Sequence, residues 1–133
     1  MEFCGTHLLV EFSDCRNAEL LDDLNQIEEL MREGLKVANF TLVQLFSHKF
    51  YPIGVTSVAI VSESHVSIHT YPETGHASID IFHCSDGSLQ VLRLMDYLKL
   101  HFEPSQFSYA EATRGRNLKV STNTSACLLE SVA

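Results

Sequence analysis

The sequence predicts an α+β protein, a two-layer sandwich in which an antiparallel sheet carries two main helices packed on one face. Two observations predict this class. Short segments with the composition of β-strands follow one another along the chain, and two separate segments show the apolar spacing of amphipathic helices. A regular βαβ repeat would instead alternate strands and helices throughout. The 133 residues are expected to form one domain, 1–133.

The chain begins with a predicted strand and helix. Residues 7–12 (HLLVEF) form a short apolar run that is typical of a buried strand. Apolar residues then recur at helical spacing, at Leu20, Leu24, Ile27 and Met31. We expect this helix to end near Gly34, because glycine commonly follows the last turn of a helix.

Four more strands are expected in the middle of the chain. They cover residues 40–46, 55–61, 66–70 and 77–82, which either alternate apolar and polar residues or are rich in β-branched ones. Turns containing proline and glycine separate them at 51–54 and 72–75.

The last third of the chain contains a second predicted helix and a last strand. The helix is marked by apolar residues at Leu92, Met95, Leu98 and Phe102. A strand is expected at 107–112. The tail after Arg114 is polar, and its sequence predicts no structure.

Composition and charge exclude several classes of function. The formal charge of −8, with nine Lys and Arg, argues against a nucleic-acid partner, since such affinity comes largely from neutralised phosphates. No run approaches the ~20 apolar residues of a membrane span, so no membrane partner is expected. The start of the chain has no basic region followed by an apolar signal core, and we expect a cytoplasmic location. The four cysteines form no CxxC pair, which leaves free thiols in a reducing compartment and no metal site.

The most unusual segment is SESHVSIHTYP (62–72) followed by GHASIDIFHC (75–84). In a strand alternate residues share a face, so Ser67 and His69 lie on one side and Val66 and Ile68 on the other. Taken alone, the polar side could be the solvated face of an antiparallel strand.

This segment closely resembles the prokaryotic class of S-adenosylmethionine decarboxylase proenzymes. The matching stretches are GTHLLVEFSDC (5–15) and HKFYPIGVTSVAIVSESHVSIHTYPETGHASIDIFHC (48–84), and the resemblance extends over roughly residues 5–112. Its most specific part is ESHVSIHTYPE with a cysteine eleven residues beyond the last glutamate.

The resemblance implies that the chain cuts itself between Glu63 and Ser64. The Ser64 hydroxyl would attack the Glu63 carbonyl, an ester would form, and elimination would leave a pyruvoyl group derived from Ser64. The products would be a β chain, 1–63, and an α chain, 64–133, with no external cofactor. By resemblance, His69 is the proton acceptor in processing, and Thr56 stands where an assisting serine is common.

The same resemblance implies the reaction and its substrate. The pyruvoyl group would form a Schiff base with S-adenosyl-L-methionine, giving CO₂ and the decarboxylated aminopropyl donor for spermidine biosynthesis. Cys84 corresponds to the proton donor in decarboxylation. Phe50 would stack on the adenine and Glu73 would bind the ribose, while Tyr71 stands where tryptophan is frequent. The relatives are homodimers of cleaved protomers with active sites at the interface, and the same is expected here.

Two other hypotheses remain at this point. The same pyruvoyl chemistry could act on L-arginine or L-ornithine, since selectivity depends on the pocket. More remotely, the chain could be an unprocessed non-enzymatic module, or one that binds a metal. The metal ligands would then come from His65, His69, His76, His83 and Cys84.

Overall fold

The computed structural model describes residues 4–130, with side chains as far as residue 123. Within these residues seven strands and two α-helices follow one another. In chain order they are β1 (Cys4–Cys15), α1 (Leu24–Val37), β2 (Leu42–Lys49), β3 (Val55–Val61), β4 (Ser64–Tyr71), β5 (His76–His83), α2 (Ser88–Phe102), β6 (Pro104–Gly115) and β7 (Lys119–Glu130). Short 3-10 helices at Leu20–Asp22 and Pro72–Thr74 precede α1 and link β4 to β5.

All seven strands belong to one antiparallel sheet, in the order β2-β3-β4-β5-β1-β6-β7. Neighbours in this order are also neighbours in sequence, except around β1. The N-terminal strand lies in the interior of the sheet, between β5 and β6. Both ladders of β1 are long, running from Thr6↔His83 to Phe12↔Ala77 on one side and from Cys4↔Gly115 to Cys15↔Pro104 on the other.

The two helices cover one face of this sheet and form the core with it. Alternate residues of β1 point toward the helices, and Leu8, Val10 and Phe12 have no exposed surface. The helices contribute matching apolar residues to the same core, among them Ile27, Met31, Leu35, Leu94, Leu98 and Phe102. Each such side chain stabilises the fold by about 1.5–3 kcal/mol through burial. This arrangement confirms the predicted two-layer α+β sandwich. No helix among the described residues is long and apolar enough to cross a membrane.

Helix α1 continues beyond Gly34, where the sequence led us to expect its end, and stops at Val37. The glycine serves a contact between the two helices instead. A Cβ atom at position 34 would lie 2.9 Å from Leu94 Cδ1 and 3.0 Å from Tyr97 Cδ2. Asn39, with φ of 66°, then adopts the left-handed conformation that turns the chain toward β2.

The observed strands differ most from the predicted ones at the C-terminal end of the chain. Strand β6 extends several residues beyond 107–112 on both sides, and the polar tail, for which no structure was predicted, forms β7. This strand pairs with β6 from Thr113↔Lys119 to Gln106↔Ala126. It is an edge strand, and its residues 119–123 are exposed. Because none of these side chains is buried, this part of the strand lacks the alternation of apolar and polar residues by which a strand is predicted from sequence.

The other face of the sheet is not covered by any described residue of this chain. It carries polar groups near its centre and large apolar side chains among them. Those that are more than two-fifths exposed include Leu9, Phe46, Ile60 and Val120. We call this surface the uncovered face.

We expect Phe102→Ala to lower the free energy of unfolding by about 3–5 kcal/mol, because the ring is completely buried and contacts Phe12. Urea denaturation followed by circular dichroism measures this. The matched control is Leu100→Ala on the same helix, where the side chain is 72% exposed and the change should stay within about 0.5 kcal/mol. Equal effects of the two substitutions would contradict the position of the core.

Candidate functional site

The Glu63–Ser64 peptide bond lies at the end of the β3–β4 hairpin. Val61 pairs with Ser64, so only Ser62 and Glu63 form the turn. This turn is fixed to the segment before β2. The Glu63 carboxylate accepts hydrogen bonds from the Thr41 amide at 3.1 Å and the Thr41 hydroxyl at 3.2 Å, and the Ser62 amide donates to the Thr41 carbonyl at 2.9 Å. The bond therefore sits in an ordered turn.

Cys84 lies directly beside this bond. It follows β5, whose last residue, His83, pairs with Ser64. The Cys84 amide donates a hydrogen bond of 2.7 Å to the Glu63 carbonyl oxygen, and its thiol group belongs to an exposed residue. The structure thus brings Glu63, Ser64 and Cys84 together. An N–H group directed at this carbonyl would stabilise negative charge that develops on its oxygen.

The loop that carries Cys84 is held by its neighbour His83. This histidine is buried, packs against the Phe40 ring, and accepts a hydrogen bond of 3.2 Å from the Ser85 amide at Nδ1. Gly87 leaves room for the ring, since a Cβ atom there would approach His83 Cγ to 2.1 Å. His83 is therefore a structural support for the loop rather than an exposed ligand.

His69 and Thr56 form a pair at the opposite end of the hairpin. They are cross-strand neighbours, and Thr56 Oγ1 lies 3.1 Å from His69 Nδ1. At about 3.3 Å per residue, the five positions from Ser64 to His69 span roughly 16 Å of β4. Within one chain, then, the structure does not bring His69 to Ser64.

Phe50 and Glu73 lie at the same end as His69. Phe50 follows β2, is 47% exposed, and its ring makes an edge contact with His48 at 4.6 Å between centroids. Glu73 is an exposed residue of the turn between β4 and β5. Neither residue is near Ser64 of its own chain.

The turn beyond Phe50 is anchored by Asp22. One carboxylate oxygen of Asp22 accepts the Gly54 amide at 2.8 Å and lies 3.0 Å from Lys49 Nζ. The hydrogen bond from Gly54, followed by the contact with Lys49, lowers the pKa of Asp22 below its ordinary value. The Phe50 amide in turn donates to the Gly54 carbonyl at 2.8 Å. Asp22 thereby fixes the backbone of the turn that positions Phe50.

Near Ser64, the uncovered face carries a hydrogen-bonded network that the sequence analysis did not identify. His7 Nε2 lies 3.2 Å from Asp80 Oδ1, Arg114 Nη1 donates to His7 Nδ1 at 3.2 Å, and the Ser67 hydroxyl donates to Asp80 at 3.1 Å. Burial lowers the pKa of His7, an effect larger than the opposing one of Asp80. His7 is thus held neutral, with its proton on Nε2. The participants are up to 107 positions apart in sequence, so only the fold reveals them.

The histidines considered as metal ligands do not converge on one point. Among the residues whose side chains the structure describes, no group of three or more His, Cys, Asp or Glu is placed to hold a metal ion. His76 contacts Glu11 and Ser13 instead, and His83 is occupied by Ser85.

The antiparallel sheet with helices on one face places this chain in the class of two-layer α+β proteins. The candidate site residues lie at the two ends of one hairpin of that sheet. Comparison with known proteins specifies the family. The family model for S-adenosylmethionine decarboxylase matches residues 6–115. An S-adenosylmethionine decarboxylase proenzyme from Thermosipho melanesiensis is 39% identical over 116 residues, which cover 87% of this chain and 88% of the relative.

Two further relatives agree with this result. A proenzyme of the same name from Methanococcus maripaludis is 44% identical over 86 residues, covering 65% of this chain and 70% of the relative. The crystal structure of adenosylmethionine decarboxylase from Aquifex aeolicus superimposes with a TM-score of 0.72 at 28% identity, covering 95% of this chain and 93% of that one. The chain belongs to the S-adenosylmethionine decarboxylase family.

We expect Asp22→Asn to lower the melting temperature at pH 7, because the ion pair with Lys49 is lost. The folded-state pKa of Asp22 lies below that of the unfolded chain, about 3.9, so its contribution is present above that value and disappears as the pH falls through the lowered pKa. The difference between the two melting temperatures should therefore stay constant from pH 7 to about pH 4 and begin to shrink below that. The exposed Asp96→Asn serves as the control. A melting difference for Asp22→Asn that does not change with pH would contradict the role of its charge.

Proposed function

We propose that this chain is a self-processing, pyruvoyl-dependent decarboxylase of S-adenosyl-L-methionine that cuts itself between Glu63 and Ser64. Membership of the family and the position of one hydrogen bond support this. The bond of 2.7 Å from the Cys84 amide to the Glu63 carbonyl is placed where the cleavage reaction requires a donor. The product chains are 1–63 and 64–133, both derived from the single domain.

The first step is a shift of the Glu63 acyl group from nitrogen to oxygen. Ser64 Oγ attacks the Glu63 carbonyl carbon, and the carbonyl oxygen becomes an oxyanion in the five-membered ring that forms. The Cys84 amide stabilises this charge from the position it already occupies. Collapse of the ring breaks the bond to the Ser64 nitrogen and leaves an ester.

The second step requires a base near the Ser64 Cα, and His69 is the residue proposed for it. Its ring is oriented by Thr56, whose hydroxyl lies 3.1 Å from Nδ1. Because His69 of the same chain lies about 16 Å along the strand, the base comes from a second copy. Removal of the α proton expels the Glu63 carboxylate, and hydrolysis of the remaining dehydroalanine releases ammonia and gives the pyruvoyl group.

The position of Ser64 suits a carbonyl cofactor. The residue is partly buried at the start of β4, and the exposed Cys84 lies next to it. A pyruvoyl group supplies a ketone that accepts electrons when an α-amino acid loses CO₂. The Cys84 thiol would then return a proton to the substrate Cα.

Substrate recognition is proposed for Phe50 and Glu73. The exposed ring of Phe50 offers a face for stacking on adenine, and the Glu73 carboxylate can accept hydrogen bonds from both ribose hydroxyls. Family membership favours S-adenosylmethionine over arginine or ornithine, neither of which has an aromatic base or a ribose for these residues to bind. The product is the aminopropyl donor for spermidine synthesis.

A homodimer of cleaved protomers is part of this proposal. One end of the β3–β4 hairpin carries Ser64 and Cys84, while the other carries His69, Phe50 and Glu73. A two-fold axis through the uncovered face would place the first end of one protomer opposite the second end of its partner. The exposed apolar side chains of that face, Leu9 and Ile60 among them, would be buried in the contact.

A cytoplasmic location follows from the same chemistry. Cys84 has to remain a thiol to donate a proton, which requires a reducing compartment. The other cysteines of the described chain are an exposed Cys4 and a buried Cys15, whose pKa burial raises to about 11.

We expect Ser64→Ala to remain a single species of 14.9 kDa without decarboxylase activity, because the attacking hydroxyl is absent. Cys84→Ala should still be cleaved, since it keeps the backbone amide, but should decarboxylate poorly. Intact-mass spectrometry and release of CO₂ from carboxyl-labelled S-adenosylmethionine measure the two properties separately. A Cys84→Ala chain that stays whole would contradict this division of roles, and activity toward arginine instead would overturn the substrate.

Co-expression of two inactive variants tests the shared site. Ser64→Ala keeps His69, and His69→Ala keeps Ser64, so a mixed dimer contains one complete site. We expect the His69→Ala chain to be cleaved when it is co-expressed with Ser64→Ala and to be cleaved poorly alone. Distinct affinity tags allow mass analysis of each chain. Poor cleavage of the His69→Ala chain in the mixed dimer would contradict a base supplied by the partner. Rapid cleavage of His69→Ala alone would also contradict it.

A further inference from the structure

Ser64 has a histidine beside it, which the proposed mechanism does not use. The Ser64 hydroxyl oxygen lies 3.2 Å from Nδ1 of His65, the next residue in the chain. His69 is five positions away and is paired with Thr56. His65 is therefore the imidazole of this chain that contacts the nucleophile before cleavage.

The His65 ring is held in place by its neighbours across the sheet. It makes edge contacts with Phe82, at 5.6 Å between centroids, and with His7, at 6.2 Å. Residues 65, 82 and 7 form one cross-strand row through β4, β5 and β1. The ring is thus oriented by packing, which keeps Nδ1 on the side of Ser64.

The charges around His65 are compatible with a proton on its ring. Burial, and to a smaller extent the charge of Arg114, lower the pKa of His7 and so favour its neutral ring. The Asp80 carboxylate, on β5 between the strands of His65 and His7, contacts His7 and carries the opposite charge to an imidazolium. Arg114 is the nearby cation, and its guanidinium stacks on the Phe82 ring at 4.4 Å. A transient positive charge on His65 therefore faces a neutral histidine and a carboxylate as well as this arginine.

We propose that His65 is the acid–base catalyst of the first processing step, whereas His69 serves the second. This inference rests on the proposed function and adds a catalytic residue to it. His65 Nδ1 takes the proton from Ser64 Oγ as the oxygen bonds to the Glu63 carbonyl carbon. The resulting imidazolium returns that proton to the Ser64 nitrogen as the C–N bond breaks. The products are an ester on Ser64 Oγ and a free α-amino group, with His65 neutral again.

Hydroxylamine separates the two steps. It cleaves the ester but not the peptide bond, so it splits a chain that has completed the first step without the second. We would make His65→Ala and His65→Asn in the wild-type chain and also in a His69→Ala background. Cleavage is then followed by mass spectrometry. The variants in the wild-type chain are measured without hydroxylamine, and those in the His69→Ala background are measured with a rate-saturating concentration of it.

We expect both His65 variants to slow spontaneous cleavage, and to slow hydroxylamine-dependent cleavage to the same extent, by about 10²–10⁴-fold. His65→Asn is the more informative of the two. Its side-chain oxygen can accept the Ser64 hydrogen bond from nearly the position of Nδ1, but it cannot carry a proton. The control is His101→Ala, which removes a histidine from α2, on the opposite side of the sheet.

Two results would overturn the role of His65. Wild-type rates in His65→Asn would show that the ring only orients the hydroxyl. Slow spontaneous cleavage with an unchanged rate of hydroxylamine-dependent cleavage would show that His65 acts only after the ester has formed. Thermal melting of each variant against wild type identifies any loss that comes from unfolding. A wild-type chain that never cleaves is a different outcome, because it would refute the proposed function itself.

Discussion

Strand β4 is hydrogen-bonded on both sides, to β3 and to β5, and these two ladders determine the positions of Ser64, Cys84 and His69. The β5 ladder aligns Ser64 with His83 and so brings the Cys84 amide to the Glu63 carbonyl. The β3 ladder aligns His69 with Thr56. A shift of one residue in either register would turn each of these side chains to the opposite face. The hydrophobic side of β4, buried against the helices, makes such a shift unfavourable.

Because these ladders hold β4 extended, the candidate site is divided into two separate parts. A strand cannot bend back within eight residues, so Ser64 and His69 stay far apart in every folded copy of the chain. The nucleophile, the amide donor and the proposed proton donor lie at one end, and the proposed elimination base and substrate contacts at the other. This explains physically why a small domain with an uncovered sheet face would act as a dimer, in which two incomplete ends form each site.

Much of this organisation can be predicted from the sequence. The β-branched run of β3, the helical spacing of α1 and α2 and the polar side of β4 are local patterns, and local patterns predicted the fold class. The remaining features depend on distant contacts. Gly34 was expected to end a helix because its packing against Leu94 is invisible in sequence, and the described side chains of β7, at 119–123, are exposed and give no pattern of burial. The pairs His7–Asp80 and Thr41–Glu63 join residues 73 and 22 positions apart. The contact of His65 with Ser64 is local, but only the orientation of the ring reveals it.

The order of strands gives the proposed cut an unusual topological setting. The segment before Ser64 contains β1, β2 and β3, while the segment after it contains the other four strands. In the sheet these pieces interleave, because β1 lies between β5 and β6, and β3 lies against β4. Releasing the first piece would mean breaking three ladders at once, two of them on the two sides of the interior strand β1. Scission of the Glu63–Ser64 bond would therefore convert a continuous chain into a tightly interlocked heterodimer with almost no change in shape. Once its two pieces had unfolded and diffused apart, such a molecule would have no covalent connection to guide its reassembly.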